Sequence, residues 1–160
     1  MSKTKIYLAS PLGFAESTRP FMEHLASRLR EHAEVFNPWD DPEPARLYQP
    51  VKHLPTHDQR IARWQEINMA IARGNQEMID RSDTIVAVLD GVDVDSGTAS
   101  EIGYGFGRGK LIYGLRTDIR QSGENEGSLV NLQVRYFIDA SGGTVVTSAD
   151  DLLATIVGER

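Results

Sequence analysis

Between Asp90 and Lys110 the chain reads DGVDVDSGTASEIGYGFGRGK, and four carboxylates, Asp90, Asp93, Asp95 and Glu101, fall within twelve residues of it. Thr98 followed three residues later by Glu101 fits a capping box, in which the Thr side chain caps a helix and the Glu returns a bond to the cap's backbone N–H. A carboxylate in the first helical turn also meets the positive end of the helix dipole, so Glu101 is expected to be ionised at neutral pH. An ionised carboxylate above a ligand crevice can serve as a nucleophile. The pattern alone leaves cap and nucleophile both open.

Other chemistries fit less well. Asp90, Asp93 and Asp95 are hard-cation ligands by type, but the loop lacks the glycine position and the downstream Glu of an EF-hand. His53 and His57 stand four apart with Pro55 between them, which spoils the helical face that zinc ligation uses, and they read as loop residues. Neither a metal nor a cofactor is expected. A phosphate-binding Walker loop needs Gly and Ser or Thr where Tyr104 and Leu111 stand, and the dinucleotide fingerprint needs Gly where Arg108 stands. The glycines at 103, 105, 107 and 109 are therefore read as small residues that let a helix approach a sheet. Ser10 lacks the G-x-S-x-G setting of a hydrolase nucleophile. Trp39 and Trp64 read as packing residues, with Trp39 also able to stack on a flat ligand.

The elements that must position these residues alternate in type. KIYLA (5–9), AEVFNP, TIVAVLD (84–90), LIYGL (111–115) and GTVV read as strands. Helical spacing marks TRPFMEHLASRLREH, the stretch after HLPTH with a break near Gly74, about 98–108, LVNLQVRYFIDA and SADDLLATIVGE. NPWDDPEPARLYQPVKHLP holds five of the seven prolines and is expected to be a long loop, functional or mobile. This alternation predicts one α/β domain over 1–160, a doubly wound five-stranded parallel sheet in the flavodoxin-like order 2-1-3-4-5 with helices on both faces. Its crevice opens at the C-terminal ends of strands one and three, where ASPLGF faces the acidic loop.

Composition narrows the partners. A formal charge of -6 over 160 residues argues against a grip on nucleic acid polymers. No run approaches the roughly 18 apolar residues that span a bilayer, so no membrane is expected, and the chain reads as cytoplasmic. The absence of cysteine excludes thiolate chemistry.

Three segments, IYLASP, SDTIVAVLDGVDVDSGTASEIGYGFGRGK and VNLQVRYFID, resemble the nucleoside 2-deoxyribosyltransferases over about residues 6–139. The most specific part is an Asp six residues before a Glu that is followed by a small residue and an aromatic, Asp95 to Gly103 and Tyr104 here. The resemblance implies ping-pong transfer of a 2-deoxyribosyl group between nucleobases. Glu101 matches the nucleophile that forms a covalent glycosyl-enzyme, and Tyr7 the tyrosine that orients it. Asp95 matches the residue holding sugar hydroxyls, and Asn131 an asparagine lent to the 5′ side by a neighbouring subunit of a homo-oligomer. Nucleosides and nucleobases are the implied partners, and stacking on Phe14 or Trp39 is expected to hold the base. Two positions depart from the family pattern: Asn75 stands where a base-contacting Asp is common, and Ala9 replaces a Gly and is expected to narrow the pocket floor. The other reading is an N-glycosidase passing the sugar to water, on a nucleoside or its 5′-monophosphate. A non-catalytic nucleotide-binding module would use the same crevice without Glu101.

Overall fold

The computed structural model describes residues 3–158. Five parallel strands lie in the order β2-β1-β3-β4-β5: β1 Lys5–Ala9, β2 Glu34–Phe36, β3 Thr84–Val88, β4 Leu111–Leu115 and β5 Val145–Val146. This is the predicted doubly wound order. Six helices cover the sheet among the described residues: α1 Arg19–His32, α2 Glu43–Val51, α3 His57–Arg81, α4 Ser96–Gly107, α5 Leu132–Ala140 and α6 Ala149–Gly158.

Strand alternation sorts side chains into two cores. Ile6, Leu8, Val86 and Val88 pack with Met22 and Leu25 of α1 and Leu152 of α6. Tyr7, Ala9, Ile85 and Ala87 point the other way and pack with Ile79 of α3, Ile102 of α4 and Ile138 of α5. All five residues of β3 are buried, which explains its unbroken apolar run. The same alternation places Tyr7 on the face that α4 covers.

Helix α4 buries Thr98, Ile102 and Gly105, a stripe at helical spacing. A Cβ on Gly105 would stand 2.1 Å from Ile85 Cδ1, so this glycine does permit close helix–sheet contact, whereas Gly107 has open space around it. Gly74, the expected break, lies inside an uninterrupted α3. One interior glycine costs only about 1 kcal/mol, and a capping box between Thr56 and Gln59 secures the start of this helix.

The proline-rich stretch is not one long loop. It forms a 3-10 turn at Pro38–Asp40 and then α2, which packs on α3. The prolines were misleading because Pro42 occupies the N-cap of α2 and Pro44 its first turn, where no intrahelical N–H is required.

Candidate active site

Beyond the C-terminal ends of β1 and β3 the chain encloses a cavity of about 580 Å³. It is lined by the start of α4, by Asn68, Ile71 and Asn75 of α3, and by the 3-10 turn and α2, including Trp39, Asp41 and Tyr48. Glu101 lines it from the second turn of α4.

The Tyr7 hydroxyl donates to Glu101 Oε1 at 2.6 Å, and Asn75 Nδ2 donates to the same oxygen at 3.5 Å. Both bonds fall on Oε1, leaving Oε2 free of hydrogen bonds among the described residues. Burial pushes the Glu101 carboxyl up to about 7; the Tyr7 hydrogen bond opposes this shift and the charge of Asp95 adds to it. Of the two readings left open by the sequence, the capping box of Thr98 and Glu101 does not form, and the expectation that Glu101 is ionised at neutral pH is corrected. Asp95, not Thr98, is the N-cap, and its Oδ2 accepts from Thr98 N at 3.0 Å. Glu101 consequently lies beyond the first turn, where the dipole has faded, and desolvation dominates. Tyr7 is fully buried, and burial, then the charge of Glu101, raises its phenol far above the ordinary value. It remains a hydrogen-bond donor throughout the working range.

Asp95 and Phe14 also line the cavity. Phe14 stands edge-on to Trp39 with ring centroids 4.6 Å apart, and Trp39 Nε1 donates to Ser10 O at 2.8 Å. Gly13 makes this packing possible, since a Cβ there would fall 2.1 Å from the indole. Trp64, by contrast, only packs on Tyr48, at 5.1 Å.

One position differs from expectation. Ala9 is buried among core residues and does not reach the cavity wall, which begins one residue later at Ser10. Asn131 lies outside this chain's cavity, capping α5 through its Oδ1 and donating to Glu124 Oε1 at 2.6 Å. Asp90 is engaged elsewhere, its carboxylate accepting from Thr117 N, Thr117 Oγ1 and Asp118 N at 2.6 to 2.9 Å. Among the described residues no cluster of three metal-ligating side chains occurs.

A family model for nucleoside 2-deoxyribosyltransferase matches residues 6–133. The chain belongs to this family. A conserved protein from Enterococcus faecalis V583 is 27% identical with a TM-score of 0.71, over 99% of this chain and 100% of that one. A 2-deoxyribosyltransferase from Bacillus psychrosaccharolyticus shares 22% identity with a TM-score of 0.63, over 94% and 90%. A CMP N-glycosidase from Clostridium botulinum shares 19% with a TM-score of 0.53, over 98% and 100%. No curated protein matches. Membership in the nucleoside 2-deoxyribosyltransferase family supports nucleoside glycosyl transfer or hydrolysis in general.

The sequence reading missed Asp41, Tyr48 and Asn68, because two of them lie in the supposed loop. A signal was there: Pro42 and Pro44 at a helix start, Glu43 in the first turn, and Leu47 and Val51 four apart. Among the described residues no helix is long and apolar enough to cross a membrane.

Proposed function

We propose that this protein transfers a 2-deoxyribosyl group between nucleobases through a glycosyl-Glu101 intermediate. The observation that carries this reading is the Tyr7–Glu101 pair, with one carboxylate oxygen fixed and the other free, on a cavity of about 580 Å³. In the first half-reaction Glu101 Oε2 attacks C1′, the C1′–N bond breaks, and its electron pair leaves with the base. Oxocarbenium character develops at C1′ and the carboxylate stabilises it, as in retaining glycosidases. In the second half-reaction a nitrogen of an incoming base attacks C1′, the ester C–O bond breaks, and the carboxylate is restored. Two inversions give net retention.

Transfer must compete with water at about 55 M against a base near millimolar, a handicap of order 10⁴ to 10⁵, or roughly 6 kcal/mol. Positioning can supply that much, and the Trp39, Tyr48 and Phe14 rings offer flat apolar surface for holding a base. Three carboxylates, Asp41, Asp95 and Glu101, line the cavity with no Lys, Arg or His among its described lining residues. That charge disfavours a 5′-phosphate and favours nucleosides over nucleotides.

Incubation with deoxyinosine and adenine is expected to yield deoxyadenosine much faster than free deoxyribose. If adenine yields no new nucleoside and leaves sugar release unchanged, the protein is a hydrolase instead. We further propose that Asn131 serves a neighbouring subunit's cavity in a homo-oligomer. Mixing Glu101→Ala with Asn131→Ser, a substitution that retains a capping oxygen, should restore part of the activity after subunit exchange. Continued inactivity despite measured exchange counts against the shared site.

A further inference from the structure

Of the four carboxylates between Asp90 and Glu101, Asp95 and Glu101 line the cavity, whereas Asp90 and Asp93 do not. Asp93 only turns back to accept from Val94 N. Asp90 reaches across to the loop that leaves β4. Its Oδ1 accepts from Thr117 N at 2.6 Å and Asp118 N at 2.9 Å, and its Oδ2 accepts from Thr117 Oγ1 at 2.6 Å. The preceding carbonyl is held too: Arg116 Nη1 donates to Leu89 O, and Nη2 donates to Arg120 O at 2.7 Å. Arg116 is only 1% exposed, and its Nε has no partner among the described residues. A buried guanidinium with no carboxylate bonded to it costs stability. What it does here is tie two loops together by their carbonyls.

The loop so fastened is the one that delivers Asp95. Gly91 turns it with φ at 132°, a backbone that side chains rarely adopt, and Val94 is buried in the same core as Tyr7 and Ile102. At its end both Thr98 contacts fall on Asp95 Oδ2, with Thr98 N donating at 3.0 Å, so no hydrogen bond engages Asp95 Oδ1 among the described residues. One oxygen caps α4 and the other is left for a ligand. Neither Arg116 nor Thr117 lines the cavity, so any influence they have on it passes through this loop.

Resting on the transfer reading, with Asp95 as the group that accepts from a sugar hydroxyl, we propose that Asp90 and Arg116 are positioning residues for that contact. They fasten the β3–α4 loop to the β4–α5 loop and so set where Asp95 Oδ1 meets the sugar. Neither touches substrate. A displacement of about 1 Å caused from outside a site can cost about 10²-fold in rate.

A double-mutant cycle tests this, because residues that act through one another are non-additive, whereas independent ones add. Asp90→Ala should stay folded and lower kcat/KM for base release from deoxyinosine, with adenine present, by about 10 to 100-fold. Made in Asp95→Asn, which retains a capping oxygen, the same substitution should cost less than about threefold. Made in Tyr7→Phe, it should keep its full cost. Asp90→Asn can still accept from both backbone N–H groups and can donate to Thr117 Oγ1, so it should recover most of the wild-type rate. Additivity with Asp95→Asn, equal coupling to Tyr7→Phe, or an Asp90→Asn as poor as Asp90→Ala overturns the proposal. If Asp90→Ala does not fold, Thr117→Val takes its place in the cycle by removing one donor from the other loop. A loss of about 3 to 10-fold, the range for one hydrogen bond, that vanishes in Asp95→Asn is then expected; no loss, or one that persists there, overturns the proposal. The readings beneath it fail differently. A wild type no faster than Glu101→Gln removes transfer through Glu101 and the positioning role with it, and an Asp95→Asn as active as wild type removes the sugar contact and the positioning role together. Activity that depends on both Glu101 and Asp95, without the coupling, removes the positioning role alone.

Discussion

Two tyrosine–carboxylate hydrogen bonds involve α4 residues one turn apart, Glu101 and Tyr104, and the two have opposite electrostatics. At the cavity, Tyr7 donates to a buried Glu101 with no cation beside it, and the carboxyl rises to about 7. One turn on, Tyr104 donates to Asp80 of α3 at 2.9 Å, where Arg108 Nε also donates at 2.9 Å and Lys110 Nζ donates to the Asp80 carbonyl. There the Tyr104 bond, with Arg108 behind it, pulls the carboxyl below its ordinary value. In both places the phenol favours the ionised acid. Desolvation without a cation reverses the outcome at Glu101, whereas at Asp80 the Tyr104 bond and the cations outweigh it. On the proposed reading, the contrast separates a nucleophile from a group that ties two helices together.

Exchanging the proposed nucleophile should produce the largest effect. Glu101→Gln is expected to abolish transfer, by at least about 10⁴-fold, while remaining folded. Because the folded-state pKa is raised, wild-type stability is fully present below about pH 4 and declines as pH rises toward 7. The separation corresponds to about 3 kcal/mol at 1.36 per unit. Glu101→Gln should therefore melt about 3 to 10 °C above wild type at pH 8, with the difference vanishing near pH 4. Thermal melts at the two pH values check this, and a variant less stable at pH 8 contradicts the burial penalty. The wild-type rate should meanwhile fall about tenfold per pH unit below 7 as Glu101 takes up its proton.

Removing the phenol hydroxyl should have an intermediate effect. Tyr7→Phe is expected to lower kcat by roughly 10 to 1,000-fold through lost positioning of Oε1. Since the Tyr7 bond opposes the rise at Glu101, its loss should also move the acidic limb of the pH–rate profile upward. An unchanged kcat with an unmoved limb would mean that Tyr7 merely packs.

The smallest effect belongs to the staple. Asp80→Asn should change kcat by less than about twofold and lower the melting temperature slightly at pH 7. Asp80 has a lowered folded pKa, so that stability difference should fade as pH falls below about 4. A tenfold kinetic effect would break the comparison by linking the two carboxylates.

Much of the fold was legible because it rests on local regularities. The all-buried β3 run, the alternating strands and the 3.6-residue spacing of α1 and α5 specify the layers and their order. Asp95 and Glu101 stand out by spacing, and residue alternation in KIYLA turns Tyr7 to the same face as Ile85, toward α4. Sequence by itself thus determined the sheet, its crevice and the chemical types that meet there. Tertiary structure alone decided three matters. It placed the helix start at Asp95 rather than Thr98, because a cap depends on where the incoming chain turns. It raised Glu101 to about 7, because desolvation is a property of surroundings contributed by distant segments. It brought Asp41 and Tyr48 to the cavity, because α2 is held in place by packing on α3, a contact that no local pattern encodes.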